Sequence, residues 1–154
     1  MGERAGVRNR HIAGEETSSF MASEAAKRAV ENAGISPEEI DLILVASSSP
    51  DGIFPSVACE VQTAIGAVHA SGYDMRAACA GFVFAYQTAQ AYIEAGFYKT
   101  ILLIGSEALS TMVDWTDRGT CILFGDGAGA AILCAAEGKT YLPAAHMDGR
   151  KGEA

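Results

Sequence analysis

One cysteine stands where a strand gives way to a helix, within the stretch Asp74–Phe82 (D-M-R-A-A-C-A-G-F). The segment from Gly72 is strand-like, and from Phe82 apolar residues recur at three- and four-residue steps, which indicates a helix. Cys79 is therefore predicted to lie at a sharp corner near the positive end of a helix dipole, where the nucleophilic thiolate is favoured. The small residues beside it would let a substrate carbonyl approach backbone N–H groups, as in an oxyanion hole. The structural alternative is a small buried cysteine that fills the joint.

No partner for this thiol can be found in the local sequence. His69 precedes Cys79 by a loop and a strand, which puts the two at opposite ends of that strand, and His146 lies on the last strand-like segment. A general base for Cys79 is therefore not identified. The chain has four cysteines with no C-x-x-C pair and no metal-ligand spacing to a histidine, so we expect no metal site and a reduced compartment: Cys59, Cys79, Cys121 and Cys134.

A glycine-rich stretch, Phe124–Ala130 (F-G-D-G-A-G-A), superficially matches a dinucleotide-binding loop. Such a loop needs a long helix immediately after it, but here the apolar segment stops at Ala136 and Glu137 follows. We therefore predict no cofactor at this position. The glycines are interpreted instead as letting a strand pass close to another backbone.

The only tryptophan, Trp115, shares a polar loop with Arg118. One interpretation is surface packing, with an exposed ion pair from Arg118 to Asp114 or Asp117 that contributes little stability. The other is a planar guanidinium and an aromatic ring at an entrance, suited to stacking on a nucleotide base. Spacing alone favours the first.

Composition restricts the class of protein. The chain has 154 residues and a net charge of −8, with its basic residues scattered, which argues against a nucleic-acid surface. There is no apolar run near the length of a membrane span and no signal-peptide pattern, so we expect a cytoplasmic protein without a membrane segment.

Helices and strands alternate along the chain, which predicts an α/β fold with a layered sheet and one domain. Ser18 or Ser19 is expected to cap the first helix and Gly34 to close it, and Ser36 is expected to open a capping box with Pro37 at its first helical position. Short apolar runs are typical of strands covered on both faces. The predicted helices cover 17–33, 56–65 and 82–95, with short helical turns at 37–39 and 107–112. The predicted buried strands cover 41–46, 72–77, 99–105 and 128–134, and a further strand is expected at 141–147. The segment 121–124 fits either a strand or a helical turn.

Three motifs in register resemble β-ketoacyl-acyl carrier protein synthase III, a family of the thiolase-like superfamily. They are Asp74–Phe82, Asp114–Gly119 (D-W-T-D-R-G) and Phe124–Ala130. Two further stretches fit in the same order, Pro50–Cys59 (P-D-G-I-F-P-S-V-A-C) and Gly6–Ile12 (G-V-R-N-R-H-I). The resemblance covers nearly all of the chain and changes Cys79 from a plausible structural residue into the expected nucleophile.

The resemblance implies a condensing enzyme that starts fatty-acid synthesis. Cys79 would take an acyl group from acyl-CoA, and malonyl-acyl carrier protein would then lose CO₂ and attack that acyl group in a Claisen condensation. These two thioesters would be substrates, and no cofactor is implied. In the family, the position of Arg118 helps to hold the CoA adenine, with that of Gly119 beside it, and those of Leu109 and Phe124 line the acyl pocket. The position of Phe54 reaches across a homodimer into the partner's pocket and limits the acyl length.

The resemblance also implies that residues 1–154 are the N-terminal half of the thiolase-like fold, a mixed but mostly parallel sheet covered by helices in βαβαβ-type layers. The family's C-terminal half, with the His and Asn that complete the catalytic set, is expected to be absent from this chain. Two alternatives stay open. One is another thiolase-like condensing enzyme, of the 3-hydroxy-3-methylglutaryl-CoA or polyketide starter type, and the other is a non-catalytic dimerisation half-domain with a structural Cys79.

Overall fold

The computed structural model of the chain describes residues 6–137, and these residues form an α/β fold, as the sequence predicts. Three short 3₁₀ turns accompany the main elements, at Pro37–Glu39, Ala78–Ala80 and Leu109–Thr111. The strand predicted at 141–147 lies outside the described residues. The helices and strands, in chain order, are α1 (Ser18–Ala33), β1 (Leu42–Ala46), α2 (Val57–Ile65), β2 (Ser71–Met75), α3 (Gly81–Glu94), β3 (Thr100–Ala108) and β4 (Asp126–Cys134).

The four strands form one sheet in the order β2-β1-β3-β4. β1 pairs in parallel with β2 on one side and β3 on the other, so that Leu44 lies opposite both Tyr73 and Leu103. β4 runs antiparallel to β3, with Ile104 opposite Ala130. The sheet is therefore mixed and mostly parallel, which confirms the predicted architecture.

Helices cover both faces of the two inner strands. Because side chains alternate along a strand, Ile43 and Val45 of β1 pack with α1 and α2, while Leu42 and Leu44 pack with α3. β3 alternates in the same way, and its residues from Ile101 to Ile104 are fully buried. The inner strands thus show the continuous apolar pattern of strands that are covered on both sides.

The prediction of four buried strands is wrong for the two outer ones. Every residue of β1 is buried, but β2 and β4 are only half-buried or exposed along their length. The physical reason is their position, since among residues 6–137 β2 and β4 are the outer strands and each pairs with a strand on one side only. β3 is longer than predicted and runs to Ala108, so that Glu107 belongs to a strand rather than a helical turn. The ambiguous segment 121–124 contains no strand.

Most helix ends follow local sequence signals. Gly34 closes α1 in the left-handed region at φ 67°, and Ser36 forms the expected capping box with Glu39 around Pro37. The predicted cap of α1 is wrong by one residue, because Thr17 rather than Ser18 or Ser19 accepts the N–H of Phe20. No helix within residues 6–137 combines the length and apolar character that crossing a bilayer requires.

Ser18 and Ser19 are the first residues of α1, and a distant carboxylate holds their N–H groups. Asp51, in the loop after β1, accepts hydrogen bonds from the N–H of Ser18 at 2.7 Å and of Ser19 at 3.0 Å, and also from the Ser19 hydroxyl. Partial burial acts to raise the pKa of Asp51, but these hydrogen bonds outweigh it and hold that pKa below its ordinary value of 3.8. Asp51 therefore fixes the first turn of α1 to the loop in its charged form.

We predict that Asp51→Asn lowers the free energy of unfolding by about 1 kcal/mol at pH 7, the usual cost of weakening a helix cap. Because the pKa of Asp51 is lower in the folded chain, its stabilisation is present above pH 3.8 and is lost as the pH falls through the folded pKa. Urea unfolding at several pH values should show wild type and variant converging in acid. Glu31→Gln, on the exposed face of α1, is the matched control, and an equal loss in that variant would contradict the capping role.

Candidate active site

Three of the predicted site residues, Cys79, Leu109 and Phe124, lie at one end of the sheet, whereas Phe54, Arg118 and Gly119 lie on its loops outside their cavity. The parallel strands β1, β2 and β3 all end there, and the antiparallel β4 begins there, since Asp126 pairs with Ala108. The carboxyl ends of parallel strands are the usual place for a ligand in α/β folds. The loop after β1, the Cys79 corner and the long connection from β3 to β4 therefore surround one region.

Cys79 lies in the 3₁₀ turn Ala78–Ala80, which joins β2 directly to α3. Ala78, just before it, has a φ of 46°, in the left-handed region that a residue with a Cβ adopts at a cost of about 1–2 kcal/mol. This turn carries the chain over the end of the sheet, and the Cys79 side chain is exposed. The interpretation of Cys79 as a small buried cysteine is therefore wrong, whereas the predicted strand-to-helix corner is confirmed.

Two glycines bring α3 close to the inner strands behind the cysteine. A Cβ on Gly81 would lie 3.2 Å from the Cβ of Ala46 in β1, and a Cβ on Gly105 would lie 3.2 Å from the Phe82 ring. Both contacts are tighter than packed side chains normally make. The absence of a side chain at these positions therefore lets the start of α3 sit directly on β1 and β3.

The N–H groups of the corner differ in their partners. Ala80 donates to the carbonyl of Ala77 at 3.2 Å, and Gly81 donates to the carbonyl of Ala78. Within residues 6–137 no acceptor is found for the N–H of Cys79. An unengaged N–H beside an exposed thiol is the arrangement that could stabilise an oxyanion on a carbon bonded to that sulfur.

A cavity of about 390 Å³ opens at the corner. Cys79 is part of its lining together with Leu109, at the end of β3, and Phe124, in the turn before β4. The structure thus brings three of the predicted site residues to one cavity. Its volume lies in the range of small-ligand sites. The remaining lining residues are mainly small or apolar: Ala46, Ser48, Ala78, Phe82, Gly105, Ser106, Glu107 and Gly127.

The other three predicted site residues lie outside the lining of this cavity. Phe54, in the loop after β1, is 89% exposed and precedes Pro55 through a cis peptide bond. Arg118 and Gly119 lie on the exposed loop between β3 and β4, beside Trp115, which is 54% exposed.

The ion pair predicted for Arg118 is wrong. Asp114 accepts the N–H and the hydroxyl of Thr116, and Asp117 accepts the N–H of Gly119 and the hydroxyl of Thr120. These bonds, led in each case by the threonine hydroxyl, hold the pKa of both carboxyls below its usual range. The two aspartates therefore accept hydrogen bonds within their own turns and form no ion pair with Arg118. In residues 6–137 the one ion pair found joins Lys27 to Glu24.

The glycine-rich stretch forms strand β4, not a loop before a helix. A dinucleotide-binding loop is followed immediately by a helix, whereas here the residues from Asp126 to Cys134 are extended as a strand. The expected close approach to another backbone holds for Gly125, whose added Cβ would lie 3.1 Å from the carbonyl oxygen of His11. It is wrong for Gly127 and Gly129, where no atom of the described residues lies within 4 Å of an added Cβ.

Glu107 is a site residue that the sequence did not single out. It borders the cavity, and its carboxylate accepts the N–H of Ser48 at 2.8 Å, the N–H of Ser49 at 3.0 Å and the Ser49 hydroxyl. The Ser49 oxygen in turn accepts the N–H of Ala108 at 2.8 Å. Glu107 thus joins the loop after β1 to the end of β3. The feature of the sequence that could have identified Glu107 is an acidic residue near the end of an apolar strand.

No histidine of residues 6–137 stands beside the thiol in the cavity lining. His69 precedes β2 and Cys79 follows it, so the two lie at opposite ends of that strand, as predicted. His146 lies outside the described residues. The same range contains no group of three or more side chains that could hold a metal ion, and its four cysteines are unpaired.

We predict that Glu107→Gln destabilises the chain by about 1–3 kcal/mol, because one amide oxygen cannot accept all the hydrogen bonds that the two carboxylate oxygens receive. The free energy of unfolding from urea titration measures this. Glu15→Gln changes the same charge on an exposed side chain and should leave stability within about 0.5 kcal/mol of wild type. Equal stability of the Glu107→Gln variant would show that Ser48 and Ser49 do not depend on this carboxylate.

Comparison with known families agrees with this geometry. The profile of 3-oxoacyl-(acyl-carrier-protein) synthase III matches residues 73–149. A beta-ketoacyl-(acyl-carrier-protein) synthase III of Bacillus cereus is 55% identical over 141 residues, which are 90% of this chain and 46% of that protein. The corresponding protein of Rhizobium meliloti is 52% identical over 136 residues, 88% of this chain and 42% of that protein. The chain thus spans about half the length of the curated relatives it matches.

Solved structures show the same arrangement of strands and helices. The 3-oxoacyl-(acyl-carrier-protein) synthase III of Aquifex aeolicus superimposes with a TM-score of 0.87 at 48% identity, over 90% of this chain and 45% of that one. The priming beta-ketosynthase of the R1128 polyketide biosynthetic pathway gives a TM-score of 0.84 at 38% identity, over 88% of this chain and 41% of that one.

Proposed function

The chain belongs to the 3-oxoacyl-(acyl-carrier-protein) synthase III family, and from this membership we propose that Cys79 is the nucleophile that takes an acyl group from acyl-CoA. This is the family of the resemblance above, also called β-ketoacyl-acyl carrier protein synthase III. The observation that carries the proposal is the exposed Cys79 at the strand-to-helix corner, on a cavity that it shares with Leu109 and Phe124. An accessible thiol beside an apolar cavity suits transfer of an acyl chain.

The first half-reaction needs few groups. The thiolate of Cys79 attacks the thioester carbon of acyl-CoA, and the carbonyl oxygen becomes an oxyanion that the N–H of Cys79 can stabilise. Collapse of this intermediate expels the CoA thiolate and leaves an S-acyl cysteine. Leu109 and Phe124 are proposed to enclose the acyl chain.

The second half-reaction is proposed for the whole enzyme. Malonyl-acyl carrier protein loses CO₂, and the enolate attacks the acyl carbon on Cys79. The product is a 3-oxoacyl-acyl carrier protein, and the Cys79 thiolate is regenerated. This places the enzyme at the start of fatty-acid synthesis, which we propose occurs in the cytoplasm.

Three residues outside the cavity lining have proposed roles in recognition. Arg118 and Gly119 would hold the adenine of CoA, a role that the exposed guanidinium of Arg118 can fill because Asp114 and Asp117 are engaged in their own turns. Phe54 would enter the pocket of the partner in a homodimer, which its 89% exposure in one chain supports.

A polyketide starter synthase is the second candidate, because the R1128 priming beta-ketosynthase is similar in structure.

Thiol reactivity distinguishes a nucleophilic Cys79 from the half-domain alternative, in which Cys79 is structural. If Cys79 is a nucleophile, iodoacetamide should label it faster at neutral pH than it labels the other exposed cysteines, Cys59 and Cys134. Equal rates would favour the structural role.

We predict that Cys79→Ser abolishes covalent acylation by acetyl-CoA and longer acyl-CoA thioesters, because Cys79 is the one thiol that residues 6–137 contribute to the cavity lining. Intact-protein and peptide mass spectrometry measure the adduct. Cys59→Ser and Cys134→Ser are the matched controls, since both cysteines are exposed but absent from the cavity lining. An acyl adduct that persists in the Cys79→Ser variant would contradict the assignment.

We also predict that the 154-residue polypeptide alone gives no condensation product with malonyl-acyl carrier protein. Residues 6–137 place no histidine at the cavity, and a decarboxylative condensation needs donors that stabilise the enolate. Product analysis by mass spectrometry after incubation with acyl-CoA and malonyl-acyl carrier protein is the measurement. Malonyl-dependent formation of a 3-oxoacyl product above the Cys79→Ser background would overturn this expectation.

A further inference from the structure

The two apolar walls of the cavity stand on separate segments. Leu109 belongs to the 3₁₀ turn after β3, and Phe124 belongs to the turn before β4. The loop between them is exposed over most of its length. The ladder between β3 and β4 brings the two turns together, since Ala108 pairs with Asp126, but Leu109 and Phe124 themselves lie beyond the ladder and are positioned by other contacts.

The carboxylate of Asp126 joins the segments that carry the walls. One oxygen, Oδ1, accepts the N–H of Ser110 at 2.8 Å, next to Leu109. The other, Oδ2, accepts the N–H of Ala13 at 2.8 Å, and the N–H of Asp126 donates to the carbonyl of His11 at 2.8 Å. Leu109 and the turn of Phe124 are thus both tied to the N-terminal segment Arg10–Ala13.

Arg10 holds the same turn from its other side. Its Nη2 donates to the carbonyl of Ile122 at 2.9 Å. Gly125 fits tightly against this segment, because an added Cβ would lie 3.1 Å from the His11 oxygen and 3.3 Å from Cδ of Arg10. Phe124 therefore lies between two attachment points, Ile122 and Asp126, that end on the same short stretch of chain.

Asp126 is charged in this arrangement. Partial burial acts to raise its pKa, but the hydrogen bonds from Ser110 and Ala13 outweigh burial and hold the pKa below its ordinary value. A carboxylate that accepts two N–H groups on separate oxygens cannot be replaced by an amide without losing one of those bonds.

We propose that Asp126 and Arg10 are positioning residues that hold the Phe124 wall against the Leu109 wall and so determine which chain lengths the cavity admits at Cys79. The inference rests on the proposed function in that it takes this cavity as the acyl site. Neither side chain is part of the cavity lining, so both act through the residues that they hold.

The test uses Asp126→Asn and Arg10→Lys in the 154-residue chain, with Asp41→Asn as the matched control. Asp41→Asn controls for the loss of the charge: Asp41 accepts the N–H groups of Lys99 and Thr100 at the far end of the sheet, both on its Oδ2. The probes are methyl, butyl and octyl methanethiosulfonates, which form a mixed disulfide with Cys79 and release methanesulfinate. Labelling rates are followed on the Cys79 peptide by mass spectrometry, and thermal unfolding shows which variants are folded.

Wild type should discriminate between methyl and octyl probes. We expect the ratio of their rates to change about tenfold in both variants, the effect of losing one hydrogen bond to a charged group, and to stay within about twofold of wild type in the control. If Asp126→Asn does not fold, the result is read from Arg10→Lys. An unchanged ratio in the folded variants, or no discrimination by wild type, would overturn the inference.

The same variants are treated with acetyl-, butyryl- and octanoyl-CoA to separate this inference from the proposed function. The methanethiosulfonates need only a thiol and a cavity, whereas acyl-CoA needs acyl transfer as well. If acyl-CoA leaves no adduct on wild type but the probe ratio shifts in the variants, acyl transfer is wrong and the positioning role stands. If acylation occurs and neither probe nor acyl-CoA preference shifts, the positioning role is wrong and acyl transfer stands.

Discussion

Backbone N–H groups at the ends of strands and helices have no partner within their own element and must find hydrogen-bond acceptors elsewhere. The rest of the structure depends on which groups accept these hydrogen bonds. A buried N–H without a partner costs about 1–3 kcal/mol. In this chain local Ser and Thr oxygens supply some of these acceptors, such as Thr17 for Phe20, and carboxylates that reach from a different segment supply others. Asp74, for example, holds the N–H groups of Val57 and Ala58 at the start of α2. The others within the described residues are Asp41, Asp51, Glu107 and Asp126.

The corner that carries Cys79 relies on this framework. Ala78 adopts a left-handed φ at a free-energy cost, and Gly81 and Gly105 bring α3 into close contact with the inner strands. Such a backbone persists only where its surroundings are rigid on all sides. Glu107 fixes the loop on one side of the cavity and Asp126 fixes the turns on the other, so the thiol is exposed without being loosely held.

Features that depend on neighbouring residues could be predicted from the sequence. Gly34 and the capping box at Ser36 are local signals, and the apolar run of β1 marks a strand covered on both faces. The contacts that shape the cavity join residues far apart in the chain, such as Asp126 with Ala13, and leave no periodic pattern to find. The failed ion pair of Arg118 has a local cause that could have been recognised, since an aspartate two residues before a threonine or glycine favours a turn on its own backbone. The corner of Cys79 was predictable, but its exposure needed knowledge of what covers the end of the sheet.

Asp41 lies at the opposite end of the sheet and has a consequence for how this fold can vary. It accepts the N–H groups of Lys99 and Thr100, its own N–H donates to Thr100, and its carbonyl accepts from Ser71. Asp41 thus links the first residues of β2 and β3 to the start of β1, at the end of the sheet remote from the thiol. The alignment of the strands is therefore set independently of the loops around the cavity. Exchange of those loops with the loops of a homologue is therefore expected to leave the register of the sheet unchanged.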